Sequence, residues 1–116
     1  MKVIIAGSRT CNNPETLIAS ISEANIHITE VVCGEASGAD KLGKEWAEKK
    51  NITVTSFPAD WGQYGKSAGP IRNKEMAKYA DSLIAIWDGS SRGTKNMINE
   101  MNKLNKFVFV YNYVGV

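Results

Sequence analysis

The sequence predicts a three-layer α/β sandwich built on a five-stranded parallel sheet. Five short apolar runs recur along the 116 residues, and the segments between them carry apolar side chains at helical spacing. Glycine, in addition, gathers in the loops at one end of those runs only. The chain length suits one domain with a single core, so residues 1–116 are read as one unit.

The strand candidates are KVIIA (2–6), TEVVC (29–33), ITVTSF (52–57), SLIAIW (82–87) and KFVFVY (106–111). β-Branched and aromatic residues favour strands, and the lack of strict polar alternation predicts burial on both faces. The first helix opens at Pro14 after Asn13, with Leu17, Ile18 and Ile21 as its apolar positions. A second opens at Asp40, turns Leu42, Trp46 and Ala47 to one side, and stops at Asn51. Pro70 opens the third, with Ile71, Met76 and Tyr79 or Ala80 facing inward. Thr94 opens the fourth, whose stripe is Met97, Met101 and Leu104. A methionine stripe at this spacing reads as core or subunit contact rather than a cofactor box. Right-handed crossovers through these helices give the parallel sheet.

Composition excludes several classes of function. An apolar fraction of 43% and a charged fraction of 22% are ordinary for a globular domain, and a net charge of +2 gives no overall field for nucleic acid or an anionic membrane. The opening MKVIIAGS is too short for a signal peptide or a membrane span, so a cytoplasmic protein is expected. Cys11 and Cys33 lack metal-ligand spacing and read as reduced structural thiols. His27 has no partner pattern. Neither a metal nor a cofactor is expected.

In open parallel sheets, ligands sit beyond the carboxyl ends of the strands. The loops there hold eight of the ten glycines, while Gly43 lies in a helix and Gly115 in the tail. The opposite loops hold none. Turn chemistry alone would place glycine at both edges, so the asymmetry points to close approach of backbone to a ligand. The first loop offers Gly7, Ser8 and Arg9. The second, GEASGAD, offers Gly34, Glu35, Ser37, Gly38, Ala39 and Asp40. The fourth, DGSSRGT, offers Asp88, Gly89, Ser90, Ser91, Arg92, Gly93 and Thr94.

The second and fourth loops run straight into helix starts, where unpaired amides and the positive dipole end favour a phosphate. Ser37, Ser90, Ser91 and Thr94 add hydroxyls, and Arg9, Arg72 and Arg92 add charge. The competing reading makes Asp40 and Thr94 simple N-caps. Asp88, at a strand end, fits either polar chemistry or an ordinary turn. The third loop, PADWGQYGKSAGP, is 13 residues long and carries Trp61 and Tyr64, which suit a nucleobase or ribose contact.

Two familiar phosphate motifs do not fit. The first strand–helix turn has one glycine rather than G-x-G-x-x-G. DWGQYGKS approaches a P-loop, yet Asp60 replaces its first glycine and Gly69-Pro70 interrupts the helix that should carry the lysine.

Four segments taken in order, AGSRT, CGEASGAD, FPADWGQYGKSAGPIRN and WDGSSRGT, resemble the SLOG superfamily. This Rossmann-like group includes the LONELY GUY phosphoribohydrolases and the DNA-processing Smf proteins, and the chain is most similar to its small single-domain branch related to YspA and YpsA. The resemblance implies a nucleotide-derived ligand at the carboxyl edge and a homo-oligomer, dimer or tetramer. Arg72-Asn73 resembles the family's Arg-Lys pair, and Gly93-Thr94 its phosphate turn. The hydrolases' glutamate position, however, is Met97, which can neither take a proton nor stabilise an oxocarbenium-like transition state. Glu100 lies a turn further on, rotated by roughly 60°.

The expected function is therefore binding of an ADP-ribose-like, cyclic or oligonucleotide signal, by a sensor or a sequestering protein of the kind found in phage–host conflict. The alternative is a nucleoside-monophosphate phosphoribohydrolase or other N-glycosidase, with Asp40, Glu35, Asp88 or Glu100 as its carboxylate. Single-stranded DNA binding, as in the Smf relatives, lacks a basic surface here.

Overall fold

The structure, a computed structural model, describes residues 1–35 and 37–113; Ala36 and the tail containing Gly115 lie outside the described residues. Five parallel strands form one sheet: β1 (Lys2–Gly7), β2 (Glu30–Cys33), β3 (Thr53–Ser56), β4 (Ser82–Trp87) and β5 (Phe107–Asn112). Their order is β3-β2-β1-β4-β5, with β1 paired to β2 on one side and to β4 on the other. The long helices are α1 (Pro14–Ala24), α2 (Ala39–Lys49), α4 (Ala68–Tyr79) and α5 (Arg92–Lys103). A one-turn helix, α3 (Trp61–Tyr64), precedes α4.

The period-2 alternation of a strand sorts the core into two layers. Ile4, Ala6, Leu83 and Ala85 face Met76 and Ala77 of α4 and Met97 and Met101 of α5. Ile5 and Ile86 face the other way, toward Leu17 of α1 and Ala39 and Ala47 of α2. Gly43 lets α2 lie close on β1, since a Cβ there would stand 2.7 Å from the Ile5 Cγ2. This is the predicted three-layer sandwich. The central strands β1, β2 and β4 are almost wholly buried, which is why they read as unbroken apolar runs. The edge strands β3 and β5 are only half-buried, contrary to the expectation of burial on both faces, because each has a single neighbour.

Two helix assignments need correction. Ile18 stands outward, 55% exposed, because Leu17, Ser20 and Ala24 define the buried face of α1. Leu104 is 44% exposed, since α5 ends at Lys103 and Leu104 only caps it. Leu42 and Trp46, partly buried, pack with Ala47 against one core layer as expected, and Ala39 and Gly43 are also buried on α2. Met76, Met97 and Met101 are core, as expected.

Lys106 holds the far edge of the fold together. Its Nζ donates to the carbonyls of Ala77 (2.7 Å), Ala80 (2.6 Å) and Lys78 (3.1 Å), closing the carboxyl end of α4. A cation there also complements the negative end of the helix dipole. Lys106→Met keeps the stem and removes the charge, so it should cost about 1–2 kcal/mol. Differential scanning calorimetry should show the corresponding fall in Tm; an unchanged Tm would mean the contact contributes nothing.

Candidate functional site

The strand order reverses between β1 and β4: the chain leaves β1 toward β2 and leaves β4 toward β5, on opposite faces of the sheet. Their carboxyl ends therefore diverge and open a cleft. One chamber of it, about 260 Å³, is walled by Gly7 and Arg9 from β1 and its loop, by Gly34 and Asp40, by Arg72 and Asn73 of α4, and by Ser91–Thr94. Met76 and Met97 close its apolar side. A second chamber, about 360 Å³, is walled by Glu35, Ser37, Pro58, Ala59 and Trp61. Arg9, Gly34 and Arg72 line both chambers.

The two helix starts meet at this cleft but contribute opposite things. α5 begins at Arg92 after the N-cap Ser91, two residues earlier than Thr94 predicts; no side chain caps it. The amides of Arg92, Gly93 and Thr94 find no acceptor among the described residues, and the Ser91 and Thr94 hydroxyls lie 3.1 Å apart beside them. This end suits an anion. α2 begins at Ala39 after Gly38, so Asp40 lies inside the first turn. The Ala39 amide donates to the Ser8 carbonyl oxygen (3.3 Å), and the Asp40 carboxylate accepts from the Gly34 amide (3.2 Å). What α2 brings to the cleft is a carboxylate. Neither Asp40 nor Thr94 is an N-cap, because each helix starts upstream of it.

Arg72 ties two loops to the cleft floor and braces its neighbour Asn73. Its Nη1 donates to the Gly34 carbonyl and, at 3.5 Å, to the Phe57 carbonyl; its Nε donates to Asn73 Oδ1 at 2.9 Å. Asn73 in turn donates to the Gly93 carbonyl (3.2 Å) and to Asn96 Oδ1 (2.9 Å). Burial pulls the Arg72 guanidinium below its usual range, and the nearby Asp40 opposes that shift. Arg9 and Arg92 are exposed and make no hydrogen bond or ion pair with any described residue. They are the cleft's uncommitted cations.

Several expected contacts have internal duties instead. Ser8 is buried; its amide donates to Ile86 O (2.9 Å), and its Oγ accepts from the Asp88 amide (3.1 Å). Gly38, at φ +74°, makes room for the Ser8 and Arg9 carbonyls. Ala39 is core. Asp88, Gly89 and Ser90 shape the loop before α5 rather than line either chamber. Asp88 Oδ1 accepts from the amides of Ser90 (2.8 Å) and Ser91 (2.9 Å), forming an Asx turn. Tyr64 is exposed outside both chambers, and Glu100 pairs with Lys103 at 3.2 Å on α5. Gly65–Ser67 of the P-loop look-alike form a single 3-10 turn. The sequence reading missed Ala6, Met76, Pro58 and Ala59 as lining residues. For Met76 the signal was present, in an inward stripe that reaches the carboxyl edge.

Those Ser90 and Ser91 amides hold the Asp88 carboxyl below its usual range. A depressed folded-state value means stability that is fully present above the unfolded value, about 3.9, and lost as pH falls through the folded one. Asp88→Ala should therefore lower the urea midpoint at pH 7, and the gap to wild type should close below about pH 4. A gap that stays constant down to pH 2 would remove the carboxylate from the account.

Burial raises the pKa of the Cys11 thiol; both cysteines are free and buried, so they fit inert packing. Among the described residues, no helix is long and apolar enough to cross a membrane.

A parallel five-stranded sheet with a cationic cleft at its switch point is the architecture of the Rossmann-like α/β proteins. Among them this chain belongs to the YspA, cpYpsA-related SLOG family, whose profile matches residues 1–64. The Gene 61 protein of Mycobacterium phage D29 is 35% identical to it over 112 residues, covering 88% of this chain and 89% of the relative. No solved structure gives a significant match. Membership of the family suggests a nucleotide-related role.

Proposed function

We propose that this protein binds a nucleotide-derived small molecule in the switch-point cleft and holds it without turnover, as a sensor or a sequestering protein. The observation that carries the reading is the division of the cleft. Free amides and hydroxyls at the start of α5 serve an anionic group, and Trp61 offers a ring face in the adjoining chamber. Met97 stands in the chamber wall at the position where the family's hydrolases carry a glutamate. A relative encoded by a phage supports sequestration, possession of a host signal being of use to a virus.

Asp40 is the observation that favours the second reading, N-glycosidic hydrolysis, because it is a carboxylate inside the first chamber. One experiment separates the two. The protein is incubated with AMP, NAD and ADP-ribose, and the mixture is resolved by chromatography before and after heat denaturation. Intact ligand, recovered only after heating, is the expected result. Free base appearing with time would replace binding by hydrolysis, and absence of any retained or altered ligand would overturn both readings.

A further inference from the structure

The two edges of the sheet differ in kind. β3 is four residues long, TVTS, rich in hydroxyls, and its Thr55 side chain donates to Glu30 at 2.8 Å. β5 is six residues long, FVFVYN, with neither a charge nor a proline. Short, polar or charged edges resist pairing with another chain, whereas a long apolar edge is a template for it. Lys106, the charge that could guard β5, is turned inward onto the carbonyls of Ala77, Lys78 and Ala80. Among the described residues, β4 is the single strand neighbour of β5.

Both faces of that edge are apolar and open. Val108 packs with the layer of α4 and α5, and Phe109 packs with Ile21 and Ala24 of α1. Strand alternation then sets Phe107 on the α1 side and Val110 on the α5 side. Phe107 is 46% exposed and Val110 37%. A helix laid on one face would cover one of them and leave the other; a strand added edge-on covers both. The backbone is set for a strand as well. The Tyr113 amide donates to the Trp87 carbonyl at 2.9 Å, so the ladder's alternation turns the N–H and C=O groups of Val108, Val110 and Asn112 outward.

We propose that β5 pairs antiparallel with β5 of a second copy of this chain, joining the two five-stranded sheets into one. A two-fold axis perpendicular to the sheet sets like face beside like face. Centred on Phe109, it brings Phe109 opposite itself, Phe107 opposite Tyr111, and Val108 opposite Val110, the last pair exchanging backbone hydrogen bonds. With no charge from Phe107 to Asn112, no like charges meet across the axis. A strand about 20 Å long, on a molecule 26 Å across its shortest dimension, gives a contact of about 500 Å² on each copy. The total, about 1,000 Å², is near the least that a specific interface needs, so the dimer should be weak and concentration-dependent. The cleft lies at the β1–β4 seam, and pairing through β5 leaves each cleft complete, the two opening at opposite ends of the joined sheet.

Analytical ultracentrifugation of the full chain from about 1 to 500 μM tests the pairing. Wild type should pass from monomer to dimer across that range. Val110→Lys, at an exposed position, sets two ammonium groups beside the axis and should weaken association at least about tenfold. Val110→Thr keeps a β-branched side chain and the same backbone, and should associate as wild type does. Amide hydrogen exchange on wild type reads the contact without any substitution. The Val108 and Val110 amides should slow as concentration rises, while those of Phe109 and Tyr111, already bonded to β4, should not change. A chain monomeric throughout, a dimer that Val110→Lys leaves equally tight, or a dimer in which Val108 and Val110 gain no protection would overturn the proposal.

Discussion

Gly7→Ala should destabilise the protein by about 3 kcal/mol, the upper range for forcing extra volume into a packed site. A Cβ on Gly7 would overlap the carbonyl oxygen of Ile86, with the Ile86 carbonyl carbon at 2.9 Å and the Ala39 Cβ at 3.0 Å. Backbone cannot rotate away as a side chain can, and the same Ile86 oxygen already accepts from the Ser8 amide at 2.9 Å. Relief requires separating β1 from β4 at their carboxyl ends, or pushing α2 off the sheet. Either movement strikes the cleft as well as the core. Against a total stability of about 5–15 kcal/mol for a domain, the loss is large. Urea unfolding should show it as a lower midpoint, with ligand affinity falling in parallel. Gly93→Ala is the contrast: nothing lies within 4 Å of its added Cβ, and the position is helical. It should gain up to about 1 kcal/mol from helix propensity. A Gly7 variant as stable as wild type would show that the β1–β4 seam is looser than described.

That glycine also shows what could and could not be read from the sequence. The strands and long helices were legible because β-branched runs and 3.6-residue periods are local properties. Strand order was not, since it depends on pairings between residues far apart in the chain, such as Gly7 with Ile86. The one-turn helix α3 was hidden inside a loop. Its start is set by Asp60, whose side chain accepts from the Gln63 amide at 3.1 Å, a signal too short for any periodicity to reveal. At the candidate site, the one-sided distribution of glycine pointed to the edge of the sheet where the cleft opens but carried two causes at once. Gly93 opens space in the cleft, whereas Gly7 and Gly38 let one stretch of backbone pass another. Sequence spacing cannot separate these, because both demand the same missing Cβ. The acids were the hardest to place. Asp40 and Asp88 both sit in glycine-rich loops, yet one faces the cleft and the other folds back on Ser90 and Ser91.

Arg72→Ala should have the second large effect, and on two observables together. The guanidinium gives hydrogen bonds to Gly34, Phe57 and Asn73, so its removal frees the ends of β2 and β3 from α4. Hydrogen bonds to charged groups contribute about 1.5–3 kcal/mol, and partial exposure keeps the expected loss of stability near 2 kcal/mol. Affinity should fall at least tenfold, a loss of about 1.4 kcal/mol or more, because the wall shared by both chambers goes with it. Arg72→Lys separates position from charge. An ammonium restores the charge but cannot reproduce a planar fork that holds two carbonyls and an amide oxygen at once. The lysine variant should therefore recover part of the stability and little of the affinity. Met97→Leu provides the control in the same wall: a volume-conserving change on the apolar side, costing less than about 1.5 kcal/mol and leaving affinity intact. If Arg72→Ala, measured well below its Tm, binds as tightly as wild type, the ligand does not lie between Gly34 and α5, and the cleft has been assigned to the wrong occupant.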